Sequence, residues 1–305
     1  MLEFLTLGFL ATIFGLALFE IITSIDNAVI NADVLRTMSS RARKWFLLWG
    51  LLFAVFVIRG ALPWLIVWLA NPSLGPVDAF TATFSESELV RNSLEASRPV
   101  LLVGGGVFLI FLFFHWLFLE PKYFGLKGEE LIQKHGLWFF AIISVILAII
   151  VWFSIQFNPF MAFGAVVGST AFFITHGFKE NAAAKEKELM TGHPMSDWSK
   201  ILYLEVIDAT FSIDGVIGAF AFTMSVPLII LGNGLGAFVV RELTIHNIDK
   251  IKKYKYLKNG AMYSILFLGT VMILDSFGMH INEFVSPVIT FITIGYFFWK
   301  SKKEL

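Results

Sequence analysis

The sequence predicts an all-α polytopic membrane protein, and three observations support this prediction. Hydrophobic residues make up 57% of the 305 residues and charged residues only 15%, whereas soluble domains average about 45–50% apolar and about 25% charged residues. Apolar runs of roughly 20 residues, the length that crosses a bilayer, recur along the chain. Most of the 23 basic residues lie in alternate segments between these runs. This composition does not fit a water-soluble enzyme of this size.

Nine of the apolar runs are predicted to be transmembrane helices. They cover approximately residues 5–31, 45–70, 99–119, 137–157, 159–178, 201–224, 226–248, 259–280 and 283–299. The basic residues cluster after the odd-numbered helices and in the tail. By the positive-inside rule, this pattern predicts an N-terminus outside and a C-terminus in the cytoplasm.

Charge balance and cysteine content exclude several classes of function. Lys plus Arg and Asp plus Glu number 23 each, so no excess of positive charge indicates a nucleic-acid partner. The chain has no Cys, which excludes a disulfide, a thiolate metal site, an iron–sulfur cluster and a cysteine nucleophile. The sequence also contains no Walker pattern. Any transport is therefore expected to use an ion gradient or potential, or to be passive, with protons as one candidate coupling ion.

A short motif occurs twice, in the first and the sixth predicted spans. Residues 20–26 and 208–214 both read acid-x-x-x-Ser-Ile-Asp, and an arginine follows each copy in the next span, at Arg59 and Arg241. The copies lie five spans apart, an odd number, so the two halves are expected to face opposite ways. Inverted-topology repeats are typical of transporters whose site lies at the repeat interface.

The predicted organisation is a single transmembrane domain over residues 1–305. Its parts are repeat one, helices 1–3 (5–119), linker helices 4–5 with a cytoplasmic loop (120–200), repeat two, helices 6–8 (201–280), and a final helix with a basic tail (281–305). Runs of glycine at residues 104–106 and at alternate positions over 232–236 are interpreted as close helix packing.

Acidic side chains within the spans are the main indication of function, since each costs several kcal/mol in lipid. These acids are Glu20, Asp26, Glu205, Asp208, Asp214 and Asp275. One interpretation is structural, with Arg59 and Arg241 neutralising two of them and locking the bundle. The surplus of negative charge favours protons or a cation. His115 and His176 are each interpreted as lone packing or loop residues.

The types of donor indicate which cation would bind. Carboxylates, the amide of Asn27 and the hydroxyl of Ser212 are hard oxygen donors, which suit Mg²⁺, Ca²⁺ or Mn²⁺. Zinc and copper would require Cys or several His. On α-helical spacing, Glu205, Asp208 and Ser212 share one face and would line an approach to Asp214.

The two carboxylates of the first motif do not share a helix face. Glu20 and Asp26 lie about 120° apart on a straight helix. Asn27 and Gly215, which directly follow the motif aspartates, favour a helix break that would free backbone carbonyls for coordination.

The paired motifs, Glu20…Ser24-Ile25-Asp26-Asn27 and Asp208…Ser212-Ile213-Asp214-Gly215, resemble those of TerC-type integral membrane proteins of the LysE-like transporter superfamily. The branch catalogued as a domain of unknown function is the most similar. The resemblance implies inverted three-helix repeats, the cell (inner) membrane, export of a divalent metal, best supported for Mn²⁺, and an association with tellurite resistance. Family ligands carry over to Glu20, Asp26, Asn27, Asp208, Ser212 and Asp214. The second motif begins with Asp where the first has Glu, which makes the half-sites unequal.

The expected function is therefore secondary transport of Mn²⁺, with Ca²⁺ or Mg²⁺ as other candidates, no enzymatic activity and no tightly bound cofactor. Arg59, Arg241, Glu205 and Asp275 are candidates for ion pairing or coupling. Two alternatives remain open. One is an intramembrane protease whose dyad is Asp26 and Asp214; the other is a non-transporting partner that docks on another membrane protein, delivers metal or serves a tellurite or stress resistance complex. The expected contacts are the metal ion and lipid, and a homo-oligomer or a membrane-protein partner is also considered.

Overall fold

The structure, a computed structural model, describes residues 7–50, 52–53, 59–70, 75–78, 80, 88–191, 196–246, 251, 253–282 and 284–305. Within these ranges it is all-helical, with no strand. The helices are α1 (Leu7–Thr23), α2 (Ile25–Arg36), α3 (Ser40–Trp45), α4 (Arg59–Ala70), α5 (Glu88–Leu119), α6 (Glu129–Gln133), α7 (Trp138–Phe157), α8 (Pro159–Thr191), α9 (Asp197–Ala219), α10 (Val226–His246), α11 (Leu257–Ser276) and α12 (Val285–Lys303). A π-helical turn, Phe46–Gly50, follows α3.

Several helices are long and apolar enough to cross a membrane, which makes the chain a helical membrane protein. Among the described residues five segments meet both criteria: Glu95–Leu119, Trp138–Phe157, Pro159–Glu180, Val226–Thr244 and Leu257–Ser276. Helix α1 is apolar but shorter. The other predicted spans coincide with helices where the structure describes them, but the count of nine remains a prediction.

Proline and capping residues set the helix boundaries that matter for the site. Helix α7 stops at Asn158, whose extended backbone precedes Pro159 and whose Oδ1 accepts a hydrogen bond from the amide of Phe160 at 2.9 Å. Proline suits the first helical position because its missing N–H needs no partner there. Helix α9 begins after Ser196, whose Oγ accepts from the amide of Ser199 at 3.2 Å.

Glycines bring the central helices together, as the sequence predicts. A Cβ at Gly104 would lie 2.8 Å from the carbonyl oxygen of Gly164, and one at Gly168 would overlap the carbonyl of Gly104, so α5 and α8 pack backbone against backbone. A Cβ at Gly106 would lie 2.9 Å from the carbonyl oxygen of Gly269 on α11. Glycine in these three helices therefore serves packing.

Neither expected helix break lies directly after its motif aspartate, and Asn27 lies within α2. A turn at Ser24 separates α1 from α2, two residues before Asp26. The carbonyls of Glu20 and Ser24 still accept backbone hydrogen bonds, from the amides of Ser24 at 3.0 Å and Ala28 at 2.9 Å. The expectation of a break at Gly215 is wrong, since α9 is helical from Asp197 to Ala219.

Candidate functional site

Glu20 is enclosed where α1 meets α9 and α10. Its side chain is buried, at 1% relative exposure, and its Oε1 accepts a hydrogen bond from Ser24 Oγ at 2.8 Å. A Cβ at Gly215 would lie 2.6 Å from Glu20 Oε2, and a Cβ at Gly236 would lie 2.6 Å from Glu20 Cβ. The carboxylate therefore fits only because two facing residues have no side chain.

Asn27 and Asp208 join α2 to α9. Asn27 Nδ2 donates to Asp208 Oδ1 at 2.5 Å, and Ser212 Oγ donates to the backbone carbonyl of Asp208 at 2.5 Å. Asn27 is 3% exposed, and its Oδ1 has no hydrogen-bond partner among the described residues. The residue that directly follows the first copy of the motif therefore contacts the first residue of the second copy.

Helices α2 and α9 run antiparallel. At the far end of α2, Lys200 Nζ donates to the carbonyl of Thr37 at 3.0 Å, and Ser39 Oγ donates to Asp197. The side-chain hydrogen bond from Ser39 holds the pKa of the exposed Asp197 carboxyl below its usual value. These contacts, together with the bond between Asn27 and Asp208, define the register of the two helices.

Asp214 lies in a different arrangement from Asp208. It forms an ion pair with Lys179 of α8, and both side chains are largely buried. The sequence predicts Lys179 in the cytoplasmic segment after the fifth span, at the start of a short charged surface helix, and does not predict this pair. In the structure α8 continues from Pro159 to Thr191, so Lys179 lies on a helix. A Lys that directly follows a long apolar run was the available signal, because such a side chain reaches along the helix for a polar partner.

The interpretation of His115 and His176 as lone residues is wrong. Their ring centroids lie 3.8 Å apart, with His115 Nδ1 3.4 Å from Glu120 Oε1 and His176 Nε2 3.3 Å from Glu180 Oε1. Glu120, just beyond α5, also pairs with Lys258 at 2.8 Å. Burial opposes ionisation of Glu120, but the interactions with nearby His115 and Lys258 outweigh it, so the pKa of this carboxyl falls below its usual range.

The remaining candidate residues have other partners or have side chains outside the described part of the structure. Asp275 pairs with Arg98 at 2.5 Å, and the Arg98 side chain is 44% exposed. Arg241 donates to the carbonyl of Phe46, and its guanidinium lies 4.5 Å from the centroid of the Phe46 ring. The side chains of Asp26 and Arg59 lie outside the described residues.

Glu205 lies one helical turn from Asp208 on α9. The side chain is partly buried, and the nearest acting charges are those of Asp208 and Arg241. In the parts of the chain that the structure describes, neither carboxylate oxygen accepts a hydrogen bond, although both oxygens are buried. The side chain lies where the π-helical turn passes, since a Cβ on Gly50 would overlap Glu205 Oε1.

The arrangement offers hard oxygen atoms from three helices. Glu20 and Asp208 supply carboxylates, and Asn27, Ser24 and Ser212 supply amide and hydroxyl oxygens around them. No three His, Cys, Asp or Glu side chains within the described ranges are grouped closely enough to hold a metal ion. A cation bound here would therefore depend on neutral oxygens as well as carboxylates.

Comparison with known proteins identifies a family but no characterised relative. No curated protein and no solved structure matches the chain. One family model matches residues 25–304. This match includes every helix described above except α1. The chain belongs to the family described as "Protein of unknown function (DUF475)".

Proposed function

We propose that this protein is a secondary transporter of a divalent metal ion, with Mn²⁺ as substrate and export across the cell (inner) membrane as its direction. The observation that supports the proposal most directly is the partly buried hydrogen bond that Asn27 of α2, directly after the first motif copy, donates to Asp208 of α9, the first residue of the second copy. The resemblance to TerC-type proteins of the LysE-like superfamily supports the choice of metal. The proposal includes nine spans, inverted repeats, an outside N-terminus and a cytoplasmic C-terminus.

In this mechanism Glu20 and Asp208 supply the negative charge that replaces the hydration shell of the ion. Asn27 and Ser212 complete the oxygen set without adding charge, and Asp26 and Asp214 are the further candidate ligands. A hard, oxygen-rich site of this kind suits Mn²⁺, Mg²⁺ or Ca²⁺. Gly215 and Gly236 pack closely around Glu20, so ion binding at its carboxylate would require both positions to remain free of side chains.

When the ion leaves, the carboxylates must be neutralised within the protein, because an isolated charge in a membrane is costly. Lys179 pairs with Asp214, and the charge of Arg241 acts on Glu205. In the proposed cycle these two basic side chains stabilise the ion-free state. Ion binding and internal pairing then alternate during transport.

The test is radiolabelled Mn²⁺ flux in proteoliposomes, with and without an imposed pH gradient. We expect Asp208→Asn and Asp26→Asn to reduce flux at least about tenfold, the effect of losing about 1.4 kcal/mol of binding. Glu130→Gln is the control, because its side chain is 59% exposed and pairs with Lys134 on the surface. Normal flux in both Asp variants, with the protein folded, contradicts the proposal.

If the wild-type protein shows no flux, a measurement of Mn²⁺ binding distinguishes the two remaining hypotheses. If Mn²⁺ still binds stoichiometrically, the protein acts as a metal-delivery or docking partner and not as a transporter. If no metal binds, the acids serve as a structural lock. A response of flux to the pH gradient would identify protons as the coupling ion.

A further inference from the structure

The register of α2 against α9 places a second pair of polar side chains beside the first. Asn27 meets Asp208, and Thr37 meets Lys200 near the other end of α2. Between these contacts the helices run antiparallel, so each step along α2 toward Arg36 matches a step back along α9. Asn31, four residues after Asn27, then lies opposite Glu205, three residues before Asp208.

The side chains of this second pair have buried acceptor atoms that accept no hydrogen bond from the described residues. Within the ranges that the structure describes, Asn31 Oδ1 and both carboxylate oxygens of Glu205 are buried and accept no hydrogen bond. Asn27 lies one turn away and is 97% buried. Its Oδ1 also accepts no hydrogen bond from the described residues. A buried polar atom without a partner is rare in native proteins and calls for a missing water, ion or proton.

The chemistry of these atoms favours a cation over a structural water alone. Each unsatisfied atom is an acceptor, and one of the side chains carries a formal negative charge. A divalent cation with part of its hydration shell supplies positive charge and water donors to all of them at once. A carboxylate and two amide oxygens from two helices form the same kind of hard-oxygen set as Glu20, Asp208 and Asn27.

Arg241 provides a positive charge near Glu205, but within the described residues it donates no hydrogen bond to the Glu205 carboxylate. The charge of Arg241 acts on Glu205, but its guanidinium donates to the carbonyl of Phe46 and lies over the Phe46 ring. Toward the Arg36 end, an apolar layer covers this position. Its buried members are Val34, Leu35, Met38, Phe46, Ile201 and Leu204.

We propose that Glu205 and Asn31 form a second cation subsite, one helical turn from Asn27 and Asp208 and in series with them. The inference rests on the proposed function and deepens it, because it assigns the transported ion a second position beneath the apolar layer. Arg241 competes electrostatically with the ion at this subsite. Two positions in series allow an ion at one to help displace an ion at the other.

The test is direct Mn²⁺ binding to the purified full-length protein in detergent, measured by equilibrium dialysis with ⁵⁴Mn. We expect the wild type to bind a second Mn²⁺ that Glu205→Gln loses or binds at least about tenfold more weakly, because cation affinity follows the charge of the ligands. Asn31→Leu should weaken the same ion. It is the substitute variant if Glu205→Gln fails to fold, as judged by size-exclusion chromatography.

Arg241→Gln is expected to change the affinity for the second Mn²⁺ in the opposite direction from Glu205→Gln. Removing the competing charge should strengthen binding of the second ion, whereas a purely structural role for Arg241 would leave its affinity unchanged or abolish the fold. Glu129→Gln is the matched control, since this carboxylate is also buried but fully hydrogen-bonded. It should bind as many ions as the wild type.

The subsite is overturned if wild-type protein binds a single Mn²⁺ that depends on Asp208, or if Glu205→Gln retains both ions with unchanged affinity. Failure of the proposed function has a different signature. In that case the Glu205-dependent ion binds, but proteoliposomes show no flux. Flux with a single bound ion sustains transport and rejects the second subsite.

Discussion

Glu129, which is buried, and Glu205, which is partly buried, differ in how many hydrogen bonds the described residues donate to their carboxylates. Glu129 is 2% exposed, and four donors surround its carboxylate, whereas neither oxygen of Glu205 accepts a hydrogen bond within the described part of the chain. The donors to Glu129 are the amides of Gly125 and Leu126 at 2.8 and 3.0 Å, Asn259 Nδ2 at 3.1 Å and Tyr263 OH at 2.9 Å.

This difference in hydrogen bonding distinguishes an acid with a structural role from an acid that is a candidate for binding an ion. A carboxylate with four donors from the protein is complete, and in this case it fastens the loop before α6 to α11. A carboxylate with none must be completed by something else, because an unsatisfied buried acceptor is costly. The following predictions compare satisfied acids with the candidate site, from the largest expected effect to the smallest.

The pair between Asp214 and Lys179 should have the largest effect on stability. Lys179→Met leaves the largely buried Asp214 uncompensated, and breaking a buried ion pair in this way costs about 3–5 kcal/mol. The double variant Lys179→Met/Asp214→Asn should recover most of the loss, measured as thermal unfolding in detergent. If the single variant is as stable as the wild type, Asp214 is satisfied by something other than Lys179.

Recovery of stability in the double variant also tests whether Asp214 is a metal ligand. If it is one, the stable double variant will still fail to transport Mn²⁺. If it is only a structural partner of Lys179, flux will return together with stability.

Glu129→Gln should lower stability by about 2–3 kcal/mol, because hydrogen bonds to a charged acceptor contribute about 1.5–3 kcal/mol and several donors here lose an acceptor. Mn²⁺ binding should remain unchanged. The measurement is denaturant or thermal unfolding beside the dialysis assay. Loss of metal binding without loss of stability would show that complete hydrogen bonding does not distinguish a structural acid from a functional one.

Gly215→Ala tests whether the space around Glu20 matters. The added methyl group would lie 2.6 Å from Glu20 Oε2, and the carboxylate must move because its flexible end is the nearest atom. We expect Mn²⁺ affinity to fall about tenfold, or about 1.4 kcal/mol, with a smaller change in unfolding. Gly177→Ala is the matched control, since a Cβ there meets nothing within 4 Å. Equal effects of the two substitutions would reject the special role of Gly215.

Glu120→Gln should have the smallest effect, at most about 1 kcal/mol at neutral pH, as is usual for partly exposed ion pairs. The pKa of the folded Glu120 carboxyl lies below its ordinary value of 4.5. Its contribution is therefore present above pH 4.5 and is lost as the pH falls through the lower folded-state pKa. The stability difference between wild type and variant should shrink on acidification. A difference that grows would indicate that Glu120 is destabilised in the folded protein.

The repeated motif shows which features of the candidate site can be predicted from the sequence. The acidic residues that begin the two copies, Glu20 and Asp208, differ by one methylene. Glu20 is long enough for its carboxylate to accept from the Ser24 hydroxyl, whereas Asp208 reaches across to Asn27 and Ser212 bonds instead to the backbone carbonyl of Asp208. The motif predicts which residues matter, but not that the two copies bond differently.

The sequence by itself determined the helical membrane class, the approximate helix bounds, the turn at Asn158–Pro159 and the packing role of the glycines. Each follows from local composition, spacing or backbone preference. Only the tertiary structure decided that His115 meets His176, that Lys179 pairs with Asp214 and that Asn27 bonds to Asp208. These contacts join residues far apart in the chain, and they depend on the register and rotation of one helix against another. Packing sets both, and no periodicity within a single segment contains them.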